Sequence, residues 1–292
     1  MIPKDILKKI RRIQITTSHM VTDVFAGQYK SVFKGKGMEF DEVRQYQPGD
    51  DVRSIDWNVT ARLGHPYIKK FVEERELTVM FAVDVSSSTY FGTTDKLKSQ
   101  IAAEICSLLA FSAIKNNDKV GLIVFSEGIE LFVPPRKGLK HILRIIREVI
   151  YFKPKGSGTN ISAALEYLNK ICKRKSVVFV ISDFLTGDFK KALAISNKKH
   201  DIVAISITDP KERNLTSAGV IEFADAETGE LFFVDTSDER VRDEFDSRSQ
   251  EIFHKRKKTF SSVGVDNIDI HSDKPYVNEL IKFFRMRERR MK

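Results

Sequence analysis

The stretch Leu77 to Thr89, which reads LTVMFAVDVSSST, decides the fold. Its first seven residues are apolar or β-branched, as in a strand that is buried on both faces of a parallel sheet. Asp84, Ser86 and Ser88 follow at alternating positions, where the strand must run out into a loop. Ligands of open α/β sheets bind just beyond the carboxyl ends of strands, so we expect a site here. Because Asp and Ser are also turn and capping residues, this stretch alone leaves a purely structural role open.

From Leu77 onward, apolar strand segments alternate with helical segments. The pattern predicts a hairpin over 220–236, strands over 77–83, 120–125, 129–133, 177–182, 202–207 and 268–270, and helices over about 95–115, 140–150, 161–172, 188–198, 238–257 and from 276. Such alternation predicts an α/β fold, with a doubly wound, mostly parallel sheet of the Rossmann type flanked by helices, over residues 77–292.

Residues 1–76 are predicted to form an N-terminal extension that packs on this main domain. Residues 2–14 place isoleucines and a leucine at helical spacing opposite lysines and arginines, which indicates a basic amphipathic helix. Residues 15–76 read as irregular and polar. Their interleaved acidic and basic side chains favour salt-bridged packing over a catalytic cluster.

The composition indicates a cytoplasmic protein with a sizeable core. Of the 292 residues, 41% are hydrophobic, and no apolar run reaches the length of a membrane span. The N-terminus lacks the apolar centre of a signal peptide. Cys106 and Cys172 both lie in apolar helical patterns without a neighbouring metal ligand, so we expect inert thiols in a reducing compartment.

The net charge of +9 is concentrated at the two ends of the chain. Residues 1–36 carry +6 and residues 282–292 carry +5, which leaves the rest of the chain at −2. Basic ends suit acidic protein partners, membrane surfaces and nucleic acid equally well. No recognised nucleic-acid motif accompanies them, so nucleic-acid binding through the termini is an alternative only, and peripheral membrane contact stays open.

Two further residues complete a candidate metal site. Thr159 lies in the glycine-rich loop 156–160 just before a helix, and Asp183 directly follows a predicted strand. In a doubly wound sheet these loops converge with Asp84, Ser86 and Ser88 at one edge. Two carboxylates and three hydroxyls form a small all-oxygen set that suits Mg²⁺ or Mn²⁺. The alternative is that Thr159 caps its helix and Asp183 is a turn residue.

This order of residues resembles the von Willebrand factor A-type domain and its metal-ion-dependent adhesion site, over roughly residues 77–290. Asp84-Val85-Ser86-Ser87-Ser88 matches the family's Asp-x-Ser-x-Ser, and Thr159 and Asp183 match its loop threonine and second aspartate. The resemblance implies that the serines and the threonine contact the metal directly, while the aspartates act directly or through water. It also implies that a partner supplies a carboxylate to the remaining position.

The preceding segment, KGKGMEFDEVRQYQPGDDVRSIDWNVTAR (34–62), resembles a prokaryotic family catalogued as domain of unknown function fifty-eight. Its members resemble chaperone-like adaptors associated with AAA+ ATPases of the MoxR type. The resemblance therefore implies an adaptor or chaperone-like partner of such an ATPase, which binds other proteins through the metal site.

The leading interpretation is thus a metal-dependent protein-interaction module that is not an enzyme, with no catalytic and no cofactor-binding residues. The alternative is a metal-assisted phosphatase or hydrolase. Against it, no second carboxylate stands two residues after Asp84, and the chain contains no Gly-x-Ser-x-Gly elbow or phosphate loop. None of the six histidines lies in the three site segments, although a base could reach the site from elsewhere in the fold.

Overall fold

The computed structural model describes residues 29, 32–33, 38–73, 77–225 and 228–291. The amphipathic helix predicted over 2–14 lies outside the described residues. The chain divides into two compact units, of which one is Phe33–Leu77 and the other is the remainder. We describe each unit by itself.

The smaller unit contains an antiparallel pair of strands, β1 (Met38–Gln45) and β2 (Tyr67–Glu73), with helix α1 (Trp57–Leu63) between them. The expectation of irregular structure over 15–76 is therefore wrong for this part. The two strands are separated by a long connection, so no short turn in the sequence announces that they pair. Within this unit, Arg44 binds the Asp50 carboxylate at 2.6 Å.

The larger unit is built on a sheet of six strands, which are β3 (Thr78–Asp84), β4 (Lys119–Phe125), β5 (Ile129–Arg136), β6 (Val177–Ser182), β7 (Asp201–Thr208) and β10 (Asp266–His271). Their order across the sheet is β10-β7-β6-β3-β4-β5. All neighbouring strands are parallel except β5, which runs antiparallel to β4 at the edge. A separate two-stranded hairpin consists of β8 (Val220–Ala224) and β9 (Leu231–Asp235).

Helices cover both faces of this sheet, which confirms the predicted doubly wound α/β fold. They are α2 (Lys98–Lys115), α3 (Leu139–Tyr151), α4 (Ile161–Ile171), α5 (Lys190–Lys199), α6 (Glu239–Ser262) and α7 (Tyr276–Met291). On one face α4, α5 and α6 enclose a core that contains Met80, Phe125 and Phe260. Elsewhere α2 and α3 contact each other and β4, and α7 contacts β10.

The largest differences between the predicted and the observed helix boundaries are at α2 and α6. Helix α2 begins at Lys98, not near Asp95, because residues 93–96 form a bend that precedes it. Helix α6 continues to Ser262, five residues beyond its predicted end, and this extension buries Phe260 in the core.

Neither cysteine of the described chain forms a disulfide, and Cys106 is fully buried, as expected. Burial raises the pKa of its thiol, which fits an inert side chain. Within the described ranges, no helix combines the length and the hydropathy that a membrane span requires.

Candidate metal centre

The ends of two adjacent strands bring the two predicted aspartates to one edge of the sheet. Asp84 is the last residue of β3, and Asp183 directly follows β6. The two strands pair in parallel, with Val83 opposite Ile181, so they end side by side. Both carboxylates are almost fully buried, at 2% exposure each. The central position of β3 and β6 in the sheet thus explains why two distant aspartates meet.

Asp84 is held by neutral hydrogen-bond donors. Its Oδ1 accepts from the backbone N–H of Ser86 at 2.9 Å, and its Oδ2 accepts from the Ser182 hydroxyl at 2.6 Å. Within the described residues, no cationic side chain forms an ion pair with it. Burial, together with repulsion by Asp183, raises the pKa of the Asp84 carboxyl to about 6. A cation placed beside Asp84 would favour its ionised form.

The serines of the Asp-x-Ser-x-Ser stretch lie together in the loop after β3. The hydroxyl oxygens of Ser86 and Ser88 are 3.2 Å apart, and Ser86 is fully buried. The N–H of Ser87 donates to the carbonyl of Ser157 at 3.0 Å. This hydrogen bond joins the serine loop to the glycine-rich loop that carries Thr159.

The Thr159 hydroxyl is unsatisfied within the described part of the chain. Its Oγ1 is buried and has no hydrogen-bond partner among the described residues. Helix α4 is capped instead by Asn160, whose side chain accepts from the N–H of Ala163 at 2.9 Å. A capping role for Thr159 is therefore excluded. Because a buried hydroxyl without a partner costs about 1–3 kcal/mol, its position calls for a ligand or another function.

Asp183 combines a turn role with an ion pair that the sequence did not reveal. Its Oδ1 accepts from the N–H of Leu185 at 3.1 Å, as a turn residue does. Its Oδ2 lies 2.8 Å from the ammonium of Lys98, which also binds Glu212. Burial alone would raise the pKa of Asp183, but the attraction of Lys98 dominates and lowers it. Asp183 is therefore a neutralised carboxylate, in contrast to Asp84.

Lys98 and Arg256 are the functional residues that sequence reasoning missed. Lys98 is 1% exposed, in the first turn of α2. Burial would lower its pKa, but the two carboxylates raise it above the usual value. Arg256, on α6, donates to the carbonyl oxygen of Asp183 at 2.7 Å and to Asp269 at 3.0 Å. Lys98 stands ten residues after Ser88 at the start of a helix, and nothing in the sequence distinguishes it from the exposed Lys96.

The donor set fits a hard divalent cation that takes hydroxyl ligands. In the described part of the chain, no three His, Cys, Asp or Glu side chains cluster in a way that could hold a metal. A metal at this edge therefore needs the Ser and Thr hydroxyls besides the aspartates. Oxygen-only ligation of that kind is what Mg²⁺ and Mn²⁺ accept. The unpartnered Thr159 hydroxyl and the unneutralised Asp84 both fit such an ion.

Several solved structures are similar to this chain. An aerotolerance-related membrane protein from Bacteroides fragilis is 17% identical with a TM-score of 0.48, over 74% of this chain and 100% of that one. The hypothetical protein BatB from Bacteroides thetaiotaomicron is 15% identical with a TM-score of 0.46, over 74% and 98%. The SpRpn10 VWA domain is 11% identical with a TM-score of 0.41, over 71% and 95%. Likenesses at this level do not determine a function.

Curated relatives and a family model match most of the chain. The uncharacterized protein Rv1480 from Mycobacterium tuberculosis is 27% identical over 285 residues, which cover 96% of this chain and 89% of the relative. The uncharacterized protein YeaD from Bacillus subtilis is 25% identical over 60% of this chain and 41% of its own length. The model described as "Protein of unknown function DUF58" matches residues 42–255. Since that match covers well over half of the chain, this protein belongs to the DUF58 family.

Proposed function

We propose that this protein is a metal-dependent protein-interaction module and not an enzyme. One Mg²⁺ or Mn²⁺ would be held by the five residues of the candidate centre, and the bound ion would take a carboxylate from a partner protein. The residues are Asp84, Ser86, Ser88, Thr159 and Asp183.

The observation that carries this proposal is the buried Thr159 hydroxyl, which has no hydrogen-bond partner among the described residues. Buried polar groups are almost always hydrogen-bonded, and each exception needs an explanation, of which a bound ion or water is one. The hydroxyl pair of Ser86 and Ser88 lies in the loop that is hydrogen-bonded to the Thr159 loop. A hard cation would supply the missing partner of Thr159, and the serine hydroxyls would be further oxygen ligands for it.

The charge of the centre favours capture of an anionic group. Serine and threonine ligands are neutral, and Lys98 already balances much of the charge of Asp183. A divalent ion, partly balanced by the ionised Asp84, would therefore keep a net positive charge after binding. Such an ion attracts a further anionic oxygen, and a Glu or Asp side chain of a partner supplies both charge and direction. A catalytic centre would instead need a base positioned beside an activated water.

The family resemblance supports the partner class. We propose a MoxR-type AAA+ ATPase, or a client of that ATPase, as the protein that supplies the carboxylate, with this chain as an adaptor or chaperone-like subunit. Free cysteines, of which Cys106 is fully buried, support the cytoplasm as the proposed compartment.

Calorimetric titration with Mg²⁺ and Mn²⁺ tests the centre. We expect one weak site in the wild type, no binding in Asp84→Ala, and affinity reduced by at least about 10-fold in Thr159→Val. Because the Thr159 hydroxyl is unsatisfied, Thr159→Val should keep or raise stability in EDTA. Thr186→Val is the matched control, since the Thr186 hydroxyl already has a partner and donates to the Thr159 carbonyl at 2.8 Å. It should lose about 1 kcal/mol and keep the metal.

Partner association tests the function. Pull-down of the candidate ATPase should succeed in Mg²⁺ and fail in EDTA, and Ser86→Ala should weaken it without unfolding the protein. Undiminished association in excess EDTA would assign the interface to another surface. Metal-dependent turnover of phosphoesters that Asp183→Ala removes would establish an enzyme instead.

A further inference from the structure

The hairpin of β8 and β9 forms a sheet of its own. Its five residue pairs run from Val220 opposite Asp235 to Ala224 opposite Leu231. The turn is closed by the N–H of Asp225, which donates to the carbonyl of Glu230 at 2.8 Å. In the described chain, neither outer edge of the hairpin pairs with a further strand. Open edges of this kind can accept an extended segment of another chain.

One face of the hairpin is apolar and open to solvent. Residues that pair across antiparallel strands share a face, so Val220, Leu231 and Phe233 lie together. They are 66%, 59% and 72% exposed. The opposite face is more covered and contains Phe223 stacked on Phe232, with the ring centres 5.8 Å apart. Three large apolar side chains on one small open face form a patch of the kind that marks interaction sites.

The hairpin is also acidic within a basic protein. Residues 214–237 contain five Asp or Glu and no Lys or Arg, whereas the whole chain carries +9. Glu222 pairs with Phe233 across the two strands, and Asp235 pairs with Val220, so both carboxylates lie on the apolar face. The apolar patch is therefore bordered by negative charge. Such a surface repels nucleic acid and anionic lipid and attracts a cationic partner.

We propose that this open face, formed by Val220, Leu231 and Phe233 with Glu222 and Asp235, is a second docking surface. Its occupant is an extended segment of a partner protein in which every second side chain faces the hairpin, and these facing side chains are in turn apolar and Lys or Arg. The apolar side chains of that segment pack on Phe233 and its neighbours, while its cations meet the two carboxylates. The surface uses no residue of the metal centre, so it works in the presence of EDTA.

The labelled octapeptide Val-Ser-Lys-Ser-Val-Ser-Lys-Ser presents valine and lysine on one face when extended, and its titration against the full chain in EDTA tests the proposal by fluorescence anisotropy. We expect saturable binding that weakens as salt is raised, and no binding of the matching peptide with glutamate in place of each lysine. Phe233→Ser should weaken binding about 10-fold, since removal of a central aromatic anchor costs more than 1 kcal/mol. The double variant Glu222→Gln, Asp235→Asn should lose most of the salt dependence.

Ile195→Ser is the matched control, because Ile195 is a similarly exposed apolar residue, at 55%, on α5. It should bind the peptide like the wild type, and circular dichroism should show all variants folded. Equal binding of the two peptides, or wild-type affinity in Phe233→Ser, would overturn the proposal. Self-association of the full chain that Phe233→Ser abolishes would also overturn it, since a second copy would then be the occupant.

Discussion

Lys98 provides the sharpest test of the charges around the candidate metal centre. Its ammonium is 1% exposed, lies 2.8 Å from Asp183 Oδ2 and also binds Glu212. Lys98→Met keeps the length and the apolar stem of the side chain but removes the charge. Two carboxylates then lose their buried counter-ion. Removal of one partner of a buried ion pair costs about 3–5 kcal/mol, so we expect the free energy of unfolding in EDTA to fall by that amount.

Urea unfolding followed by circular dichroism measures this loss, and Lys96→Met is the matched control. Lys96 also pairs with a carboxylate, that of Glu104 at 2.8 Å, but its side chain is 47% exposed. Exposed pairs contribute about 0–1 kcal/mol, so the control should remain close to the wild type. A Lys98→Met variant that is no less stable than Lys96→Met would refute the interpretation of a buried charge cluster.

The metal adds a second measurement on the same variant. In Lys98→Met the charge of Asp183 is no longer balanced, so a divalent ion at the centre gains attraction. We expect Mg²⁺ to raise the stability of this variant by more than it raises that of the wild type. An equal gain of stability from Mg²⁺ in both proteins would show that the charge of Lys98 does not act on the metal centre.

Further predictions concern other parts of the chain. Burial and a neighbouring lysine lower the pKa of His200 to about 4, so the wild type should lose stability as the pH falls from 6.5 towards 4. Between pH 7.5 and pH 5, the free energy of unfolding of His200→Gln should fall by about 2 kcal/mol less than that of the wild type, as measured by urea unfolding. Gly121→Ala should cost about 1–3 kcal/mol, since the added Cβ would lie 2.6 Å from Met80 Sδ; thermal melts measure this. Residues 35–72 are expected to pack on the sheet domain and to resist limited proteolysis, and rapid cleavage there with a stable fragment from Leu77 would contradict this.

The sequence predicted the centre of the sheet because strand ends carry a local signal. In β3 an apolar run stops at Asp84, and in β6 another stops just before Asp183. The change from apolar to polar residues marks both the strand and its carboxyl end, and parallel pairing then brings the two ends together. No knowledge of distant contacts was needed for these residues.

The residues that escaped prediction depend on contacts between distant segments. Lys98 meets a carboxylate that lies 85 residues further along the chain, and its own surroundings in the sequence are those of a solvated helix start. In the same way, β1 and β2 pair across a connection that contains α1, without a short turn between them. Local periodicity reports the burial of apolar side chains, but it does not report which buried carboxylate a lysine will reach.

Taken together, the two proposed surfaces define the kind of partner that this protein would bind. A metal ion at Asp84 and Thr159 would take a carboxylate, whereas the acidic face around Phe233 would take cations with apolar residues between them. A partner with only one of these features would bind one surface and would gain no affinity from the other. If both surfaces bind the same partner, linkage within one complex raises affinity beyond that of either contact. EDTA and Phe233→Ser should then each weaken the complex, and together they should abolish it. If they act on different partners, EDTA should leave the partner of the hairpin bound.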